Sequence, residues 1–190
     1  MTQEFKLQPG DILVNVNTGN DIWSKLKRWG VGEYSHVFMY LGTWTIGRYI
    51  MEIPLLFESN GRGVTLRSLS ERYGEEVVVM RLKPEFREKI IAILNEAILL
   101  ASDLQAVYDY TCIPVHIIPR ILHEKFGMPL ALKYQRDEQM VCSEACCECF
   151  WRAGILVLPQ NVVPLPGDFV ELSSILNEVN RGELSPEWVV

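Results

Sequence analysis

The chain has 190 residues, enough for one domain with a full hydrophobic core. Hydrophobic residues make up 48% and charged residues 22%, which excludes a disordered chain. The 18 basic and 24 acidic side chains give a formal charge of −6, the wrong sign for a protein that grips phosphate backbones, so no nucleic-acid partner is expected. No run of about 18 apolar residues is present, so no stable membrane insertion is expected. The N-terminal MTQEFKLQPGD lacks an apolar export segment, and a cytoplasmic protein with reduced cysteines follows as the expectation.

In chain order, Gly10 to Val16 (GDILVNV) reads as a turn and a strand, and 17–20 as a turn. Ile22, Trp23, Leu26 and Trp29 fall at helical spacing, which predicts a short amphipathic helix over 21–29, capped by Asn20 or Asp21 and ended by Gly30 and Gly32. Residues 35–42 (SHVFMYLG) form a strong strand by their β-branched and aromatic content. A turn over 42–47 leads to a second strand over 48–58. Its Pro54 removes a ladder donor and marks an edge or an end there. Residues 60–63 turn again, 64–69 and 77–82 follow as strands, and a long helix is predicted from Pro84 to about Val107. Residues 113–140 carry three prolines and read as irregular structure with one or two short helices. A helix over 142–153 stops at Gly154, and the proline-rich tail ends in short elements. Strands first and helices later imply an α+β domain spanning the chain.

The segment VCSEACCECFWRAG holds four of the five cysteines. At about 100° per residue, Cys142, Cys146, Cys149 and Ala153 share one face, with Glu144, Glu148 and Trp151 opposite. Three readings compete. The cysteines are small core residues; or they bind metal or sense redox state, although a second cysteine pair for zinc is missing; or Cys142 is a nucleophile. Only Cys142 sits at the helix start, where free N–H groups and the helix dipole favour a thiolate and an oxyanion.

A cysteine nucleophile needs a base, and the chain has three histidines. His116 and His123 lie in the irregular stretch. His36 opens an apolar strand, a poor place for mere packing and a good one for a site. If strands 36–41 and 48–53 form a hairpin centred between Trp44 and Thr45, Glu52 lies beside His36 and is the expected orienting acid. Glu58 comes within reach only with a longer turn. Glu52 also fits an edge-strand charge facing water.

GEYSHVFMYLG, YIMEI and VCSEACCECFWRAG stand in that order, and together they resemble the circularly permuted papain-like branch of the NlpC/P60 superfamily, the YaeF/YiiX-like amidases. The matching residues are Gly10-Asp11-Ile12-Leu13, Ser35-His36-Val37, Tyr40-Leu41-Gly42, Glu52, Tyr108-Asp109 and Cys142-Ser143-Glu144. The resemblance implies a papain-like fold, an antiparallel sheet packed against helices, with the histidine strand ahead of the nucleophile helix. It implies a triad of Cys142, His36 and Glu52, with Glu58-Ser59 as a second match for the acid. It implies substrate contacts from Tyr34, Tyr108 and Asp109, whose ordinary alternatives are packing and a helix-end charge. No cofactor is called for. The expected activity is amide hydrolysis through a thiol acyl-enzyme, on a peptide, amino-acid or lipid-linked amide. The alternative within the same chemistry is acyl transfer of the lecithin:retinol acyltransferase-like kind, with residues 113–132 as a lipid groove or lid.

Overall fold

A computed structural model describes residues 4–18, 32–46, 51–61, 63–103, 112, 117–128, 140–160 and 163–189. Among the described residues, six strands form one antiparallel sheet: β1 (Ile12–Val16), β2 (Tyr34–Ile46), β3 (Met51–Asn60), β4 (Gly63–Ser68), β5 (Glu76–Leu82) and β6 (Leu176–Glu183), in the order β4-β3-β2-β1-β5-β6. The helices among the described residues include α1 (Ile90–Ser102), α2 (Ile118–Phe126), α3 (Cys142–Arg152) and the single turn α4 (Asp168–Glu171). The protein is thus mixed α+β, a sheet with helices packed on it.

Alternation along the strands sends side chains to two buried faces. Ile12, Val14, Val37, Met39, Phe57, Val78 and Met80 meet Ile93, Ala97 and Leu100 of α1 and the cysteine face of α3. Leu13, Phe38, Tyr40, Leu56, Val77 and Val79 pack on the other face with Leu7, Leu69 and Leu184. With both faces covered, β1 and β5 are near-continuous apolar runs, which is why both are evident in the sequence.

The hairpin β2–β3 fixes where the site falls. Its register runs from Ile46↔Met51 to Met39↔Phe57, so its centre lies near residues 48–49 and not between Trp44 and Thr45. The register shifts between Tyr40 and Gly42. Gly42 takes φ +99°, and a Cβ there would lie 3.1 Å from Pro9 Cγ, so both backbone and space require glycine. Pro54 pairs with Thr43, and β4 joins β3 only from Leu55 onward. Pro54 therefore stands where β3 is an edge, as expected.

Other boundaries move for local reasons. The segment from Pro84 begins as a 3-10 turn (Pro84–Lys89) before α1, and α1 ends at Asp103 with an extended cap. In the tail, β6 is an eight-residue strand with the sequence LNEVNRGE. It carries little β-branched or aromatic content because it is a solvent-facing edge, paired only with β5. The helix predicted over 21–29 lies outside the described residues.

Asp11 of the Gly-Asp pair is a structural residue. It is 1% exposed, accepts two hydrogen bonds from Arg81 at 2.7 Å each, and accepts the Gln8 N–H at 2.8 Å. It ties the N-terminal segment to β5.

Candidate active site

The helix bearing the cysteines begins at Cys142, with Val141 as an extended N-cap residue. Valine offers no capping oxygen. Glu144 supplies one instead, its Oε2 accepting the Val141 N–H at 2.8 Å. This explains a buried glutamate on the face away from the cysteines; it is 6% exposed. Ser143 donates to Pro164 O at 2.6 Å, and Ser59 of β3 donates to Met140 O at 2.7 Å. The start of α3 is thereby clamped from three directions. The first intrahelical bond is Ala145 N–H to Val141 O at 3.0 Å, so the N–H groups of Cys142 and Ser143 have no carbonyl partner within the helix. Glu144→Ala is expected to cost about 1–2 kcal/mol in urea unfolding, because the cap acceptor is lost, whereas Glu144→Gln keeps an acceptor oxygen and costs less than half of that.

α3 packs on β2 and β3, which brings Cys142 to His36. Tyr34 and Val37 both point into the core beneath α3, and the pairing with β1 slips between Asn15 and Val16. His36 sits in this break of the alternation. The His36 imidazole and the Cys142 sulfur come close enough for each to shift the protonation of the other. Nε2 lies 2.9 Å from Glu58 Oε2, which leaves Nδ1 as the nitrogen for the sulfur.

Glu58, and not Glu52, is the acid on His36. Glu52 is exposed and pairs with Thr45 near the tip of the hairpin. The hairpin centre lies about four residues later than a tight turn would put it. Extending the Met39↔Phe57 register sets His36 opposite residue 60, with Glu58 two positions away on the same face. Glu58 is fully buried, unlike any carboxylate at a strand edge. Its Oε1 accepts from Asn60 at 2.8 Å, and its Oε2 accepts from both His36 and Arg72, the latter at 2.5 Å. Arg67 approaches Oε1 at 3.6 Å.

These contacts decide the protonation states. Burial works against the Glu58 carboxylate, yet hydrogen bonds from His36 and Asn60 and the charges of His36 and Arg72 bring its pKa down to about 2. Burial likewise lowers the His36 pKa, but the Cys142 thiolate and the Glu58 carboxylate outweigh it and raise the value to about 9. Burial raises the Cys142 pKa. The His36 charge and hydrogen bond, with the N–H groups of Val37 and Ser143, reverse this and leave it below an ordinary thiol. Both shifts favour a thiolate–imidazolium pair backed by a carboxylate.

The other cysteines behave differently. Cys146, Cys147 and Cys149 are fully buried, and burial pushes all three thiols up, so they remain protonated. Cys149 donates to Ala145 O one turn back at 3.2 Å. Cys112 is buried 3.9 Å from Glu144 Oε1. Among the described residues, no group of three or more His, Cys, Asp or Glu side chains is arranged to hold a metal ion.

His123 stands near the end of α2, exposed, its Nδ1 2.7 Å from Met128 O, and takes no part in the site. His116, Tyr108 and Asp109 lie outside the described residues, as do 113–116 and 129–132 of the stretch expected to form a groove or lid. Tyr34 is buried and lines a cavity of about 160 Å³ with Leu165, Gly167, Asp168 and Glu171. Its hydroxyl accepts from Arg181 at 3.4 Å. Asp168 in that wall is held by Arg120 through bonds of 2.6 and 2.9 Å. Sequence reasoning missed Arg72 and Asn60, and named Ser59 only beside Glu58 as a second match. The nearest signal was Glu58-Ser59-Asn60, a polar run directly after the apolar Leu55-Leu56-Phe57.

Among solved structures, the chain is similar to that of metalloprotein yiiX from Escherichia coli O157:H7, at 16% sequence identity and a TM-score of 0.48, covering 93% of this chain and 98% of that one. No protein-family model matches the chain, and no curated protein matches it. No helix among the described residues is long and apolar enough to cross a membrane.

Proposed function

We propose that the protein is a cysteine amide hydrolase with a papain-like, circularly permuted arrangement, in which the histidine strand precedes the nucleophile helix. The observation that carries this reading is the array Cys142–His36–Glu58: a thiol at a helix start, electrostatically coupled to an imidazole whose Nε2 rests on a buried carboxylate. The Cys142 thiolate attacks an amide carbonyl carbon, and the carbonyl oxygen takes the negative charge. The N–H groups at the start of α3 are the donors that receive it. As the carbon–nitrogen bond breaks, the His36 imidazolium gives its proton to the leaving amine. Neutral His36 then takes a proton from water, whose oxygen attacks the thioester and releases the acid and the thiolate. Glu58 stays ionised throughout and holds the ring.

A peptide, amino-acid or lipid-linked amide is the proposed substrate class. The test uses p-nitrophenyl acetate, an activated acyl donor small enough for a nucleophile that is only 8% exposed. One nitrophenolate per protein is expected in the burst, with the acetyl group located on Cys142 by peptide mass spectrometry. Cys142→Ala abolishes the burst and Cys146→Ala retains it. A burst that survives Cys142→Ala, or acetyl spread evenly over the cysteines, overturns the proposal. An amide panel then follows, and free acid as product separates hydrolysis from transfer to an added acceptor.

A further inference from the structure

The Glu58 carboxylate is held from behind as well as in front. Arg72 ends the 3-10 turn Leu69–Arg72, which the fully buried Leu69 anchors in the core. From there its Nη2 donates to Glu58 Oε2 at 2.5 Å, the same oxygen that His36 uses, and its Nη1 donates to Glu75 at 3.0 Å. The guanidinium also lies over the Phe38 ring, 5.5 Å from its centroid. Asn15 donates to the other Glu75 oxygen at 2.8 Å and accepts from Ser35 at 2.7 Å. Ser35 precedes His36 in the chain. The chain of hydrogen bonds therefore starts at His36, runs through Glu58, Arg72, Glu75 and Asn15, and closes on the neighbouring residue.

We infer that Arg72 is a positioning residue of this site: its guanidinium bridges Glu75 and Glu58, fixes the carboxylate oxygen on which His36 docks, and sets the pH at which the imidazolium forms. The inference rests on reading His36 and Glu58 as parts of the catalytic array. A planar fork suits the task because it donates to two carboxylates in fixed directions, which an ammonium on a flexible stem does not. Its charge also opposes the imidazolium across the shared oxygen. The ionisable groups around His36 are Cys142 from α3, Glu58 from β3 and Arg72 from the 3-10 turn. Arg67 of β4 also faces Glu58 but is drawn to Glu71, and Cys146 of α3 stays neutral.

The test separates this from the nucleophile reading by removing the nucleophile. In a Cys142→Ala background, the His36 titration is followed by NMR, the signal being assigned by its loss in His36→Ala. Arg72→Met is expected to raise the midpoint by about half a pH unit or more, since the opposing charge is gone. Arg72→Lys keeps the charge and stays close to the parent. Glu75→Gln leaves the Arg72 charge uncompensated and lowers the midpoint. With Cys142 present, Arg72→Met slows acetylation by p-nitrophenyl acetate several-fold at unchanged burst amplitude, and Arg72→Lys recovers part of the rate. A midpoint that stays put in folded Arg72→Met overturns the inference. Should that variant not fold, Glu75→Gln decides in the same way: a falling midpoint upholds it and an unmoved one overturns it. Loss of melting temperature and burst amplitude together, with no change in midpoint, marks a merely structural arginine and also overturns it.

Discussion

Replacing His36 with alanine is expected to slow amide hydrolysis by about a hundred- to ten-thousand-fold, the usual contribution of a positioned acid–base group. The same variant should also slow iodoacetamide labelling of Cys142, but less steeply. Without the imidazolium, burial of Cys142 is unopposed except by the Val37 and Ser143 N–H groups, and the thiol pKa rises to or above its ordinary value. The thiolate fraction then falls, while each remaining thiolate is more nucleophilic, so labelling slows by less than the thiolate is depleted. The two readouts thus separate the roles of the ring: alkylation needs the thiolate alone, whereas hydrolysis also needs the proton on His36. In the native protein that proton is lost as pH rises through about 9. Hydrolysis should decline above that pH while alkylation does not. A shared decline, or equal labelling of all five cysteines in native and variant protein, would sink the ion-pair account.

Two members of this array stood out in the sequence, and the acid did not. Cys142 announces itself because a helix has only one start, and the later cysteines lie inside the helix. His36 stands out because a polar ring opens an apolar strand. The acid was harder to place, since strand pairing depends on a turn length that alternation cannot measure. Assuming a tight turn puts Glu52 beside the ring, whereas the hairpin centre near residues 48–49 and the register shift at Gly42 deliver Glu58 instead. The better clue was burial: Glu52 sits close to a hairpin tip, while Glu58 follows Leu55-Leu56-Phe57 into the interior. Arg72 left no signal at all, because it reaches Glu58 from a turn separated by fourteen residues of chain. β1, β2 and β5 were legible because both faces of the sheet are covered, and β6 was obscured by the polar sequence that an exposed edge permits.

Glu58→Ala should have the largest effect on stability, and Glu52→Ala almost none. Removing the Glu58 carboxylate leaves Arg72, at 23% exposure, and the protonated His36, at 19%, facing each other with no anion between them. Breaking a buried pair costs about 3–5 kcal/mol, and the low end, about 3 kcal/mol, applies because both cations keep some water contact. Glu58→Gln preserves the shape but not the charge, so it should fold better than the alanine variant and still lose most activity through a weakened imidazolium. Glu52, exposed opposite Thr45, should stay within about 0.5 kcal/mol of the parent. The pH dependence follows from the same contact. The Glu58 pKa is depressed from 4.5 to about 2 on folding, so its stabilisation is complete above about pH 4.5 and is lost as pH falls toward 2. A displacement of that size corresponds to about 3 kcal/mol, in keeping with the cost of the alanine variant. Urea unfolding at pH 7 and at pH 3 checks both statements together: the gap between native protein and Glu58→Ala should narrow at the lower pH. A gap of equal size at both values would mean that the carboxylate stabilises the fold by packing rather than by charge.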